Sequence, residues 1–350
     1  MHSFRRTIVN SLVFVLLFAI IAGVVIYPSF TNGSEYNDSG ARKDLSGKLD
    51  LLFVGTSYSV SGFVPSIFDE KMGCNSYNLS GDAAPLNGRY ELLKKELSRN
   101  EIKTVILQIS YGTLTEDIKS VNATGEPRII TKLDTFSERV NYFFDNVSLF
   151  NNDYENFLSV SLRYGLKAWK DIASGNFGTI QGNKGFRADA PVDVSLKENE
   201  VVNKYNINEA SFNFRDENLK KYKEMIQLCA EHGADVYLVN LPQSDAEMWK
   251  YSNYDEFLFK IKNLAHENDC MLIDCNLLKS RFTLFNDSYS FNNLTHLSSK
   301  GAEAFSEEFS DILLKINSGE DISSFFYSSY EEMKADSPYM KIYKSLTQTE

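Results

Sequence analysis

From Ile8 to Tyr27 the chain is apolar, interrupted only by Asn10 and Ser11. A helix of about 20 residues spans about 30 Å, the thickness of a hydrocarbon core, so this run predicts one membrane-spanning helix. Beyond Leu49 the pattern changes. Short continuous apolar runs alternate with longer amphipathic ones. The short runs, of the kind buried on both faces of a sheet, are Leu51–Val54, "SYNLSG" near 77, Thr104–Tyr111, "ADVYLVNLP" near 236 and "CMLIDC" near 272. The longer runs predict helices. "VPSIFDEKMG" stops at Gly73. "DENLKKYKEMIQLCAEHG" puts Leu219, Tyr222, Ile226 and Cys229 on one face and stops at Gly233. "YDEFLFKIKNLAHEN" follows Ser252 and Asn253, and the last helix follows Ser298 or Ser299, all residues suited to capping.

Strands alternating with helices predict an α/β fold, a parallel five-stranded sheet covered on both faces. The alternation fails between 112 and 215, which predicts a largely helical insertion after the third strand. The expected organisation is an anchor (1–28), a polar linker (29–48), an α/β domain (49–318) and an aromatic-rich tail packed back on it (319–350).

Charge and composition narrow the partners. Arg5 and Arg6 precede the apolar run, so the N-terminus is expected in the cytoplasm and the rest outside. The alternative is a cleaved signal peptide, but the run is long and no small-x-small site precedes Pro28. A net charge of −11 argues against nucleic acid, which needs a basic surface. An outside location permits disulfides among the four cysteines, Cys74, Cys229, Cys270 and Cys275. However, Cys229 lies on an apolar helix face and Cys270 and Cys275 flank a strand, so buried free thiols are expected; neither C-x-x-C nor any metal-ligand spacing occurs. No cofactor is expected.

Candidate chemistry starts at "FVGTSYS". Ser57 stands where the first strand meets its loop, the place where α/β sheets hold reactive groups. A serine there is either a helix cap or a nucleophile, and a nucleophile needs a base. His2 precedes the anchor. His232 and His266 fall in last helical turns, where a histidine complements the helix dipole. His296 lies in a polar loop between the last strand and the last helix, which can return to the edge that carries Ser57. Lys184 and Arg187 beside Phe186 can bind an anionic sugar, or simply belong to a solvated loop.

"FVGTSYS", "YNLSGDAAPLNGRYELLKKEL" and "NLTHLSSKGAEAFSEEF" together resemble the first, second and last blocks of the SGNH (GDSL-type) hydrolases, in the right order and over most of 49–313. The likeness is nearest the membrane-anchored branch linked to polysaccharide O-acetylation and teichoic-acid D-alanylation. It implies a three-layer, flavodoxin-like α/β/α domain. It also implies Ser57 as nucleophile, His296 as base, and the N–H groups of Ser57 and Gly81 as oxyanion donors. The implied function is acyl transfer, chiefly O-acetylation of a cell-envelope polysaccharide or a teichoic-acid-like acceptor, with a polytopic membrane acyltransferase as partner. An esterase or deacetylase with the same residues, or a non-catalytic binding protein, are the alternatives. Two positions depart from the family. Its acid, three residues before the histidine, is here Asn293, which leaves either a Ser-His dyad or Asp287 as a substitute carboxylate. Its oxyanion asparagine after the third strand is missing, which leaves Tyr111 or a backbone group in that role.

Overall fold

A computed structural model describes residues 2–30, 42, 45–117, 122–146, 154–175, 183–194, 213–286 and 289–337. Five strands, β1 (Leu51–Val54), β2 (Ser76–Asn78), β3 (Thr104–Gln108), β4 (Asp235–Asn240) and β5 (Met271–Asp274), form one sheet in the order β2-β1-β3-β4-β5. Every neighbouring pair is parallel. Successive side chains of a strand point to opposite faces, and the sheet divides its residues accordingly. Leu52, Val54, Val105, Leu107 and Leu238 pack into a core with the helices Leu86–Arg99, Asp216–Glu231 and Tyr254–Glu267. Leu51, Phe53, Ile106, Val239 and Ile273 pack into a second core with Pro65–Met72 and Ser299–Asn317. Phe53, Phe63, Phe68, Phe305 and Phe309 form a ring cluster at the centre of that second core. The fold is therefore a three-layer α/β sandwich, and its order reverses between β1 and β3, the switch point where such sheets open a crevice.

Between β3 and β4 lie the helices Tyr111–Thr115, Asn122–Lys132, Phe136–Asn146 and Tyr154–Ser174, followed by a strap, 183–194, without regular structure. β3 is shorter than the apolar run Thr104–Tyr111 suggests. The Ser110 hydroxyl accepts from the Thr113 N–H and caps a helical turn that begins at Tyr111, so pairing ends at Gln108. Asn253 precedes its helix as expected but makes no side-chain cap; its amide binds Glu256 and the Tyr111 hydroxyl instead. The last helix is capped by Ser298, which accepts from the Gly301 N–H.

The first helix, His2–Ile26, contains one 23-residue stretch, Phe4–Ile26, long and apolar enough to cross a membrane. Its end packs on the Tyr154–Ser174 helix, where the Trp169 indole donates to the Val24 carbonyl at 3.2 Å. Most of the predicted linker lies outside the described residues. Arg42, within it, is buried against Glu96 and the Lys132 carbonyl. The chain after 319 returns to the domain, burying Tyr330 and Met333. Among the described residues the four cysteines are free thiols.

Candidate active site

β1 ends at Gly55 because nothing larger fits: a Cβ there would stand 2.7 Å from the side chains of Gln108 and Ser59. Thr56 stands at the N-cap position of the one-turn helix Ser57–Val60 without a side-chain cap bond; both its N–H and its hydroxyl donate instead to the Gln108 Oε1 at 2.9 and 3.0 Å. β3 thus holds the turn that presents Ser57. As the first residue of that helix, Ser57 has an N–H outside the intrahelical ladder, with no partner among the described residues.

His296 comes from a hairpin-like loop. Phe291 and Leu297 form an antiparallel bridge, and the Asn292 N–H donates to the His296 carbonyl at 2.9 Å. Asn293, at the tip, winds the loop onto its own amide oxygen, which accepts from the Thr295 N–H and hydroxyl and from the His296 N–H at 2.9–3.0 Å. This brings two side chains 239 positions apart into contact: His296 Nε2 lies 2.7 Å from Ser57 Oγ.

The tautomer follows from the other ring nitrogen. His296 Nδ1 lies 3.0 Å from Asn293 Oδ1, which can only accept, so Nδ1 carries the proton and Nε2 is free to accept from the Ser57 hydroxyl. Thr295 Oγ1, 2.9 Å from Nδ1, gives its own proton to Asn293 and fits the same assignment. The Tyr58 ring lies parallel to the imidazole, 4.7 Å between centroids and 7° between planes. Burial of Tyr58 pushes its phenol up to about 12, so it stays neutral beside the histidine. Burial also lowers the His296 pKa from its ordinary value; Arg187 lowers it further, while Asp189, Asp82 and Glu247 oppose.

The remaining predicted residues divide. Asp287 lies outside the described residues, and among those described no carboxylate hydrogen-bonds to His296. Gly81 follows β2 beside the site, but its N–H donates to the Gly55 carbonyl at 3.2 Å and is committed to the loop. Tyr111 is a core residue: its hydroxyl binds Asn253 and its ring stacks on Tyr251 at 4.1 Å. Arg187 is not an open cation. It binds Asp189 through Nε at 2.7 Å, Asp82 through Nη1 and the Ser61 hydroxyl at 3.0 Å. Ser61 in turn donates to Asp189 at 2.6 Å. Lys184 pairs with Asp69, and Phe186 is buried. The strap is thus bolted to the Ser57 loop, where the sequence suggested a solvated segment.

Beside Ser57 a cleft of about 200 Å³ opens at the C-terminal ends of β1 and β3, lined by Ala83, Leu86, Arg89, Thr113, Glu116 and Asn218 among others. Sequence reasoning missed Tyr58, Ser61 and Arg89. Tyr58 adjoins the serine in "GTSY", a signal of sorts. Arg89 has none, since a basic residue in "LNGRYELLKKEL" reads as a solvated helix face.

No family model matches the chain, and no curated protein does. Solved structures do match, among them protein YxiM from Bacillus subtilis, with a TM-score of 0.37 and 14% identity over 80% of this chain. The match takes in 59% of YxiM, so the chain spans about three fifths of that protein's length. At that level of likeness, the chemistry has to be read from the side chains of this chain.

Proposed function

We propose that this chain is a serine-dependent acyl-transfer enzyme held at the outer face of a membrane by its first helix. The observation that carries the proposal is the 2.7 Å contact of Ser57 Oγ with a His296 Nε2 whose Nδ1 proton is held by Asn293. In this reading Ser57 Oγ attacks the carbonyl carbon of an ester or thioester while its proton passes to His296 Nε2. The tetrahedral intermediate collapses, the leaving alkoxide or thiolate takes that proton, and an acyl-Ser57 remains. An acceptor hydroxyl then gives its proton to His296, attacks the acyl carbon and leaves as the new ester, and Ser57 recovers its proton. The Ser57 N–H serves as one oxyanion donor.

The acceptor proposed is a hydroxyl of a cell-envelope polysaccharide or teichoic-acid-like polymer. Support comes from the sequence resemblance and from Arg5 and Arg6 ahead of the apolar helix, a charge pattern expected to leave the folded part outside. A polytopic acyltransferase delivering the acyl group is the matching partner. With water as acceptor the same residues make an esterase.

The test uses the full chain in detergent micelles with p-nitrophenyl acetate and a fluorophosphonate probe. Turnover and labelling are expected, and Ser57→Ala and His296→Ala each lower turnover by about 10³-fold or more. A folded chain that neither turns over nor labels overturns the proposal. Adding an oligosaccharide acceptor then separates transfer, seen as an acylated sugar, from hydrolysis.

A further inference from the structure

Arg89 sits in the first turn of the Leu86–Arg99 helix and is 3% exposed. Its Nε donates to the Ala84 carbonyl at 2.8 Å and its Nη1 to the Tyr222 hydroxyl at 3.1 Å. The Tyr222 hydroxyl passes its own proton on to the Gln108 carbonyl at 2.9 Å, which fixes the guanidinium from behind. No direct ion pair neutralises it. Among the described residues Arg89 forms no ion pair, and its second terminal nitrogen has no hydrogen-bond partner. The other buried arginines differ: Arg281 pairs with Asp245 and Arg42 with Glu96. A buried charge without a partner is an expensive arrangement. Arg89 also lines the same cleft as Ser57. Glu116 lines it too: burial raises its carboxyl pKa and the Arg89 charge opposes that rise, but no direct ion pair joins the two.

A cleft built for acetyl needs only a small apolar pocket. This one adds a fixed cation with unused donor capacity, the usual partner of a carboxylate. We infer that the cleft takes an acyl group ending in a carboxylate, that of a dicarboxylic acid half-ester or half-thioester, with Arg89 binding the free carboxylate while Ser57 attacks the esterified end. This rests on the acyl-transfer reading and narrows its donor.

Two measurements separate the ideas. Full-length chain in micelles is given ω-carboxylated acyl p-nitrophenyl esters of four to six carbons and their uncharged alkanoyl counterparts, each corrected for spontaneous release. The expected result is at least a tenfold preference in kcat/KM for one charged ester over its counterpart. That ratio falls at least tenfold in Arg89→Gln and is partly kept in Arg89→Lys. Equal losses on charged and uncharged esters would make Arg89 an oxyanion donor or a packing residue and overturn the inference, as would the absence of a preference in the native chain. Separately, Ser57→Ala chain is titrated calorimetrically with the monomethyl esters of succinate, glutarate and adipate, and with methyl butyrate. Binding of a charged ester that disappears when Arg89→Gln is added supports the inference even if no ester is turned over, in which case only the catalytic reading fails. No Arg89-dependent binding overturns it.

Discussion

Asn293 gathers four contacts on one amide oxygen, three that shape its loop and one that orients His296. In a serine protease triad the Asp-to-Asn change costs about 10⁴ in rate, largely by selecting the wrong tautomer. Here the oxygen faces Nδ1, so the tautomer is right and only the charge is absent. Asn293→Asp is therefore expected to raise kcat by roughly 10–100-fold, less than that loss. The gain is limited because the new oxygen would face Asn292 Oδ1, now 3.3 Å from the Asn293 amide nitrogen. The pH profile tests the same pair. His296 works as a base only when neutral, and its pKa is lowered from 6.5, first by burial and then by Arg187. Activity should hold above that lowered pKa and fall as pH drops through it, placing the acid limb below 6.5. Arg187→Gln removes a lowering charge and leaves Asp189 and Asp82 unopposed, so the limb should move to higher pH. Ser57 and His296 were legible because a strand end and the polar loop before the last helix both lie at the C-terminal edge of a parallel sheet, and the last helix packs back against the Pro65–Met72 helix that follows β1. Arg89 was not, since its burial depends on Tyr222, 133 positions away.

Among the elements, the strap 183–194 does most to complete the site. Lys184 carbonyl accepts from the Asn78 N–H, Arg187 N–H donates to the Val60 carbonyl, and Ser299 N–H donates to the Asp189 carbonyl. It ties β2, the Ser57 turn and the start of the last helix together. Gly185 makes the crossing possible: its φ is +87°, and a Cβ there would stand 1.9 Å from the Asn78 carbonyl oxygen. Gly185→Ala should destabilise the fold by about 1–3 kcal/mol, read as a lower melting temperature, and should weaken activity as Arg187 is displaced. The strands and main helices followed from periodicity, because each buries its apolar positions in a regular rhythm. The strap has no rhythm. Its order comes from long-range pairs such as Arg187 with Asp82, 105 positions apart.

At the scale of the whole molecule, the first helix and the helical segment between β3 and β4 belong together. Phe136, Phe144, Leu166 and Trp169 are exposed on that segment. Gly23, Ile26 and Tyr27 share with it an apolar groove of about 630 Å³. If the first helix spans a membrane, it holds these residues at the bilayer surface. With only two tryptophans in the sequence, Trp249→Phe isolates Trp169, whose fluorescence should be quenched by brominated lipids in proteoliposomes. Unquenched emission would place the segment away from lipid. The bond from Trp169 to the Val24 carbonyl joins the end of the first helix directly to the folded part. A protein on a slack tether sweeps a hemisphere and meets polymer at any height within reach. Under the proposed function, one mounted on a stiff post would work at a single altitude, so position along a growing chain would be selected by distance from the lipid surface. Under that proposal, one added helical turn would lift the site by about 5.4 Å and move the pattern of acylation outward with it.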